Sequence, residues 1–420
     1  MKIKRLEIKG YKSIGHLVLE DVPSLMMLAG ANGAGKSNLV EALAFFGSVI
    51  QKGLKVAVDE FGKWEDLIFK SNDGDVENGN IGLGIVFEIQ KITYHYDLKI
   101  RLGKIINRIE YEVLYKDGES IFSRTPSDDY QETENKENPE ENDEEIITAI
   151  LGGVIGGVAS KNIGGVLIGG LLGAAFSQIK KENNSKTNIN FSNDLSLLHT
   201  SFQDITLYRL LTNIKVFKID PVLSKIPSAS TAKNNELNPN GNNIAAVLAQ
   251  LEKDDDFRET LMEWLELIVP QMQKINASSN RLDGSVGLSF TEASGKQFPA
   301  HLISDGTIYV ICILTAILSR CNDYGITIIE EPERGIHPKA IGEIIGFIRD
   351  KMAESGKHTV ILTTHSESVV RNSEVEELFF VQQENGATQV KSLRNSNVDK
   401  KKIPLDTAWL TNLLGGGLPW

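Results

Sequence analysis

Residues 30–37 read Gly-Ala-Asn-Gly-Ala-Gly-Lys-Ser and match the pattern G-x-x-x-x-G-K-[ST] of loops that bind nucleotide phosphates. The glycines allow a tight turn that points backbone N–H groups at phosphates. The Lys36 ammonium can reach the β- and γ-phosphates, and the Ser37 hydroxyl can ligate Mg²⁺. The sequence therefore predicts a site for a nucleoside triphosphate and Mg²⁺. Its expected nucleotide-binding residues are Gly30, Asn32, Gly33, Ala34, Gly35, Lys36, Ser37 and Asn38.

The elements that must position this loop are visible on both sides of it. Residues 25–29 form a short apolar run that predicts a buried strand, and residues 38–50 are apolar enough for a buried helix. The N-terminus of such a helix adds partial positive charge beside the phosphates. The strand–loop–helix order distinguishes this motif from a glycine-rich turn that matches by chance.

A second group of polar residues follows the predicted buried strand 326–329. Glu330 and Glu331 stand at the end of this strand, and His365 follows the next predicted strand, 359–363. Such folds place their chemistry at the ends of parallel strands. One acid can hold Mg²⁺ and the next can polarise an attacking water. Two acids alone also fit a solvated loop, and His365 also fits a capped helix start.

The combined motifs resemble those of the ATP-binding-cassette (ABC) ATPases. The phosphate loop is followed by Ser304-Asp305-Gly306 at a predicted helix start, then by Glu330-Glu331-Pro332-Glu333 and the strand-end histidine. Within that family the chain resembles the soluble RecF/SMC-like group, whose opening loop is similar to residues 8–14. It is most similar to stand-alone bacterial ATPases of overcoming-lysogenization-defect-like systems, several of which act in phage defence. The resemblance covers residues 1–120 and 190–420.

The resemblance implies a site shared between two subunits. Ser304 and Gly306 would contact the γ-phosphate of ATP bound to the phosphate loop of a second copy, so ATP would be sandwiched in a homodimer or a higher homo-oligomer. Asp305 departs from the family pattern, because it replaces the first glycine of the signature.

The resemblance also implies the catalytic roles. Glu331 would be the catalytic carboxylate, Glu330 would hold Mg²⁺ together with Ser37, and His365 would sense the γ-phosphate. Glu330 departs from the family pattern, since an aspartate is usual there. The glutamine of the metal-sensing loop is not located by the sequence, and the candidates by residue type are Gln51 and Gln90.

The fold class that follows is α/β. We expect an ABC-type ATPase head with a mixed sheet, an antiparallel β subdomain, a helical subdomain and a glycine-rich helical insertion. The alternating runs 81–88, 93–101 and 107–115 predict an antiparallel meander, and 190–215 and 243–275 look helical. The predicted divisions are 1–124 and 285–420 for the two parts of the head, 125–189 for the insertion and 190–284 for the helical subdomain.

The insertion has two parts, an acidic linker (125–145) and an apolar hairpin (146–180). Two apolar runs of 14 residues carry glycines at four-residue spacing, which lets helices approach closely. Each run makes a helix of about 21 Å, short of the roughly 30 Å hydrocarbon core, and one continuous helix would bury Lys161. Soluble packing, oligomerisation and membrane action through 146–176 all stay open.

Composition limits the location and the partners. Two cysteines with no C-x-x-C pair fit a reducing cytosol, and the first eight residues lack the apolar core of a signal peptide. We therefore expect a cytoplasmic protein, with membrane association only through the insertion. The net charge is −12, of which residues 128–145 carry −9, so the remainder is near neutral and gives no support for tight DNA binding. Binding of DNA through a local groove of Lys and Arg stays open.

Two functions fit these features. The first is an ATP-driven molecular switch of a bacterial anti-phage system, whose state is read by a protein effector such as a nuclease or a toxin. The second is a membrane effector in which the ATPase controls a pore-forming glycine-repeat insertion. A nuclease site within the chain is disfavoured, because no His-Asn-His metal cluster is present.

Overall fold

The computed structural model describes residues 1–70, 78–105, 107–124, 194–201, 205–229, 236–280, 282–394 and 404–411. The predicted insertion 125–189, with its acidic linker and its glycine-repeat hairpin, lies outside the described residues. Among the helices that are described, none is both long and apolar enough to cross a membrane.

The strands and helices are numbered here in chain order. The strands are β1 (Lys2–Tyr11), β2 (Ile14–Val22), β3 (Leu25–Ala29), β4 (Asn78–Ile89), β5 (Ile92–Gly103), β6 (Arg108–Lys116), β7 (Glu119–Arg124), β8 (Ile214–Phe217), β9 (Ser228–Ala229), β10 (Met272–Ser279), β11 (Ser285–Glu292), β12 (Gln297–Pro299), β13 (Gly325–Glu330), β14 (His358–Thr364), β15 (Leu378–Glu384) and β16 (Ala387–Ser392). The helices are α1 (Lys36–Lys52), α2 (Leu54–Phe61), α3 (Trp64–Leu67), α4 (Leu197–Ser201), α5 (Ile205–Thr212), α6 (Pro221–Ser224), α7 (Ile244–Leu251), α8 (Asp255–Ile268), α9 (Asp305–Leu318), α10 (Pro338–Ser355), α11 (Glu367–Asn372) and α12 (Leu405–Leu410).

The central sheet has the order β16-β15-β3-β14-β13-β8 and is mixed, since only β16 runs antiparallel to its neighbour. Its inner strands are continuous apolar runs because helices cover both faces. In register, Glu330 pairs with Thr363 and Thr364 pairs with Ala29. The carboxyl ends of β3, β14 and β13 therefore lie side by side. The phosphate loop follows β3, His365 follows β14, and the acid pair stands at the end of β13.

The antiparallel lobe confirms the predicted meander. Its sheet has the order β2-β1-β4-β5-β6-β7, with every neighbouring pair antiparallel. Helix α1 packs between this lobe and the central sheet, and the rings of Phe45 and Phe46 lie against Tyr11 of β1, with centroids 5.5 and 6.4 Å apart. The helix that begins at the phosphate loop is thereby fixed by the cores of both sheets.

The predicted helices 190–215 and 243–275 are partly wrong at their C-terminal ends. Residues 214–217 form β8, which pairs in parallel with β13. Helix α8 ends at Ile268 because Pro270 follows, and the chain then enters β10 of a small antiparallel sheet with β11, β12 and β9. Pairing with a neighbouring strand overrides the helical pattern at both places.

A buried polar chain joins β13 and β14. His358 is 2% exposed, its Nδ1 lies 2.8 Å from the carbonyl oxygen of Asp323, and its Nε2 lies 2.8 Å from the Thr327 hydroxyl. Because a carbonyl only accepts, Nδ1 carries the proton and Nε2 accepts from Thr327. Thr327 in turn accepts from Nε of Arg320 at 2.9 Å. Burial, together with the nearby Arg320 charge, lowers the pKa of His358 to about 4.

The lowered pKa of His358 predicts acid sensitivity of the fold. The unfolded chain takes up this proton near pH 6.5 and the folded chain only near pH 4, so the stabilisation is complete above pH 6.5 and is lost as pH falls toward 4. Over that pH range the free energy of unfolding should fall by about 3 kcal/mol because of His358. Denaturant titrations at pH 7 and pH 4.5 should show that the free energy of unfolding falls less for His358→Gln than for the wild type. Equal losses would contradict the assignment.

Candidate nucleotide site

The phosphate loop connects β3 to α1, as the sequence predicts. Gly33 and Gly35 have φ of +79° and +100°, a region that favours glycine. A Cβ on Gly35 would overlap the Thr388 side chain of β16, and a Cβ on Gly30 would overlap the carbonyl oxygen of Val381 in β15. Glycine at positions 30 and 35 is therefore required by close packing against the β15–β16 hairpin, in addition to any need for access to phosphates.

Lys36 folds back onto the loop. Its Nζ donates to the carbonyl oxygens of Gly30 at 2.7 Å and Ala31 at 2.9 Å. Burial lowers the pKa of Lys36, and the carboxylates of Glu331, Glu333 and Glu330 oppose this shift. The lysine thus lies between two backbone carbonyls and three carboxylates.

The loop and the acid pair line one cavity of about 200 Å³. Its wall contains residues 32–38, Glu330, Glu331 and Thr363. A larger cavity of about 930 Å³ crosses the outer face of the antiparallel lobe, and its described lining includes neither the phosphate loop nor the acids. The chemistry-bearing residues therefore select the smaller cavity as the candidate site.

Glu331 has an unusual backbone. Its φ is +51°, which costs about 1–2 kcal/mol for a residue with a side chain. Its N–H donates to the carbonyl oxygen of Thr363 at 2.9 Å. The Tyr309 hydroxyl lies 3.0 Å from the carbonyl oxygens of both Glu330 and Glu331. These contacts hold the strained turn at the end of β13.

His365 faces the acids from the end of β14. Its Nδ1 lies 3.4 Å from Oε1 of Glu331 and 3.9 Å from Oε1 of Glu333. The cap of α11 is Ser366, whose hydroxyl accepts from the N–H of Ser368 at 3.3 Å. The interpretation of His365 as a helix cap is therefore wrong, and the ring is available beside the catalytic candidates.

Glu333 is a site residue for which the sequence pattern predicts no role. Its Oε1 accepts from the Thr364 hydroxyl at 2.7 Å and from the N–H of His365 at 3.3 Å. Burial raises the pKa of Glu333, and these hydrogen bonds oppose the rise. Its Oε2 has no hydrogen-bond partner among the described residues. Glu333 thus links the segment that follows the acid pair to the end of β14, where His365 lies, through these two hydrogen bonds.

Ser304 and Gly306 lie apart from the cavity of their own chain. Ser304 caps α9, accepting from the N–H of Thr307 at 3.1 Å, and its side chain is exposed. Gly306 packs so closely on the loop after the acids that a Cβ would overlap the carbonyl oxygen of Gly335. Neither residue lines the 200 Å³ cavity. Asp305 pairs with Lys225, which offsets its charge at the helix start.

Three other candidates have positions that restrict their roles. Asn38 donates to the Ser13 hydroxyl at 2.6 Å and so links the phosphate loop to the β1–β2 turn. Gln51 follows Ser37 by 14 residues on the same helix, which places it about 21 Å away, out of reach of a shared metal. Gln90 is in the exposed turn between β4 and β5.

The donors present suit Mg²⁺. Ser37 and Glu330 line a common cavity of about 550 Å³, and both offer oxygen. Within the described part of the chain no group of three His, Cys, Asp or Glu could hold a metal by itself. Mg²⁺ is commonly bound through one or two protein oxygens, with nucleotide phosphates and water completing its coordination.

The mixed sheet, the phosphate loop and the strand-end acids define the class of the protein, an ATPase with an ABC-type head. Two family models match the chain. One, described as an AAA ATPase domain, matches residues 1–152. The other, described as an AAA domain, putative AbiEii toxin, type IV TA system, matches residues 186–371. Together they cover the phosphate loop, the acid pair and His365, and they confirm the ATPase class indicated by the motifs.

Solved structures that match the chain include SMC head domains. At 13% identity they include an Smc head bound to the C-winged helix domain of ScpA (TM-score 0.47, 93% of this chain and 98% of that chain) and the SMC head domain from Thermotoga maritima (0.44, 93% and 99%). A third is a Pyrococcus furiosus Smc head with an extended coiled coil, bound to the C-terminal domain of ScpA (13% identity, 0.46, 96% and 98%). No curated protein matches the sequence.

Proposed function

We propose that the protein is a molecular switch that binds ATP, closes into a dimer around it and reopens after hydrolysis. The observation that supports this most is the single cavity shared by Lys36, Ser37, Glu330 and Glu331. These residues supply phosphate contacts, metal ligands and a candidate base within one chain.

A second copy would complete the site. The cavity of about 200 Å³ is smaller than the roughly 300–1,000 Å³ of ordinary ligand pockets. The N-terminus of α9 is exposed at Ser304, and a helix N-terminus is suited to an anion. With Asp305 paired to Lys225, that end can accept a phosphate despite the acidic residue. We therefore propose that Ser304 and Gly306 act on ATP bound by the partner's phosphate loop.

The site residues divide the work of hydrolysis. Glu331 would orient and deprotonate the attacking water, and His365, 3.4 Å from its carboxylate, would contact the γ-phosphate and align Glu331. Ser37 and Glu330 would hold Mg²⁺, which when bound offsets the charge of the phosphates. Lys36 would exchange its two backbone carbonyls for phosphate oxygens.

Ser304→Arg tests the shared site. The arginine would fill the space of the partner's γ-phosphate, so ATP-dependent dimers should be lost while each monomer still binds nucleotide within about twofold of the wild type. Light scattering with Mg²⁺ and a non-hydrolysable ATP analogue measures the mass. Ser294→Arg, the same change at an exposed serine in the β11–β12 turn, is the control and should dimerise. If Ser304→Arg forms dimers at the same nucleotide concentrations as the wild type, the shared site is refuted.

We further propose that the switch controls a protein effector in anti-phage defence. The family model that matches residues 186–371 carries a toxin of a type IV system in its description, which supports this role. Cells that express the protein with its neighbouring genes should restrict phage growth, and the restriction should depend on ATP turnover. Equal phage plating with and without the locus, across a broad phage panel, would count against the defence role and leave the ATPase proposal intact.

A further inference from the structure

Tyr309 is a polar exception on a buried apolar helix. It is the fifth residue of α9, is 1% exposed, and has Ile308 and Val310 as buried neighbours. Its hydroxyl lies 3.0 Å from two carbonyl oxygens, those of Glu330 and Glu331. A single proton shared by two acceptors fixes the phenol between consecutive peptide groups. Burial raises the pKa of Tyr309, so the hydroxyl remains a donor.

Those carbonyls belong to the strained turn of the acid pair. Glu331 keeps its φ of +51° through its N–H bond to the carbonyl oxygen of Thr363 on one side and the Tyr309 hydroxyl on the other. Such conformations persist only when the surroundings over-determine them. The direction of the Glu331 side chain therefore depends on where α9 holds the phenol.

The first turn of α9 makes a second contact with the same segment. The Cα of Gly306 packs against the carbonyl oxygen of Gly335, four residues after Glu331, with no space for a Cβ. The Ser304 hydroxyl is bonded to the first turn through Thr307. A displacement of this helix end is thereby carried to both ends of the segment 330–335.

We infer that Tyr309 is a positioning residue that couples the signature end of α9 to the acid pair of the same chain. When Ser304 engages the partner's nucleotide, α9 shifts or stiffens, and the phenol aligns the Glu331 carboxylate for its own ATP. Hydrolysis in one composite site of the dimer would then require that nucleotide is bound in the other. This inference rests on the proposed function, because it needs a dimer with two composite sites.

Tyr309→Phe tests the coupling, because it removes the hydroxyl and keeps the ring. We expect kcat to fall about tenfold to a hundredfold, as for small misplacements of catalytic groups, with nucleotide affinity and dimer mass within twofold of the wild type. One lost hydrogen bond should lower the melting temperature by about 2–4 °C. The control is Tyr96→Phe, which removes a buried hydroxyl bonded to Glu112 at 2.9 Å in the antiparallel lobe and should keep kcat unchanged.

Hydrogen exchange on the wild-type protein gives a readout that needs no variant. With an ATP analogue, peptides covering 304–312 and 326–337 should become protected together, over the same range of nucleotide concentration. In Tyr309→Phe, protection should remain in 304–312 and be lost in 326–337. Wild-type turnover by Tyr309→Phe, or protection of one wild-type segment without the other, overturns the coupling alone. A wild-type protein that neither dimerises nor hydrolyses ATP overturns the proposed function as well.

Discussion

Glu331→Gln should bind ATP as tightly as the wild type, hydrolyse it about 100-fold or more slowly, and accumulate as a dimer. The amide matches the carboxylate in size but cannot take a proton from the attacking water, and a positioned base contributes about 10²–10⁴ in rate. Glu331 is 46% exposed at its side chain, so its loss should not disturb the core. The strained backbone around it is retained, because its partners are Thr363 and Tyr309.

Three measurements distinguish a loss of hydrolysis in Glu331→Gln from a loss of nucleotide binding or of dimerisation. Phosphate release gives the rate, a fluorescent ATP analogue gives the affinity, and light scattering with ATP gives the mass. Glu259→Gln, the same change on the exposed face of α8, is the control and should behave as wild type. Wild-type hydrolysis by Glu331→Gln would remove Glu331 from the chemistry, and Glu330 or Glu333 would then have to be the base.

The parts of the site that sequence predicts are those encoded by short local patterns. The phosphate loop requires glycine at fixed positions, and buried parallel strands are continuous apolar runs, so β3, β13 and β14 can be recognised from the amino-acid sequence alone. Because the carboxyl ends of such strands share one edge, the acid pair and His365 could be placed beside Lys36.

The parts that sequence does not predict depend on partners distant in the chain. Residues 214–217 and 272–279 form strands because β13 and β11 offer an edge, and their local pattern also fits a helix end. Tyr309 carries no motif, and its role depends on peptide carbonyls 21 and 22 residues later. Glu333 lies two residues after the acid pair, but only the folded chain brings its Oε1 within hydrogen-bond distance of the Thr364 hydroxyl and the N–H of His365.

Lys36→Ala should reduce ATP affinity about 100-fold or more and abolish both dimerisation and turnover. Lys36 is the phosphate-loop cation, and its charge lies among Glu330, Glu331 and Glu333. Without it, the γ-phosphate would approach three carboxylates with no neighbouring ammonium, so the change removes attraction and leaves repulsion. The carbonyl oxygens of Gly30 and Ala31 would lose their donor.

Thermal melting distinguishes lost binding from lost folding. ATP at 100 times its Kd stabilises the wild type by about 2.7 kcal/mol, so its melting temperature should rise with nucleotide. Lys36→Ala should melt within a few degrees of the wild type without ATP and show no rise with it. Lys52→Ala, at the exposed end of the same helix, should show the full rise. An ATP-dependent rise in Lys36→Ala would move the nucleotide away from the phosphate loop.

Together with Ser304→Arg and Glu331→Gln, the Lys36 variant divides the ATP cycle into three steps. If ATP binding precedes dimerisation and dimerisation precedes hydrolysis, Lys36→Ala stops before binding, Ser304→Arg stops as a loaded monomer, and Glu331→Gln stops as a loaded dimer. In cells, an effector that reads the closed dimer would stay silent with the first two and be held on by the third. An effector that reads ATP turnover would be silent with all three. Phage plating with the three variants therefore identifies which state of the switch is the signal.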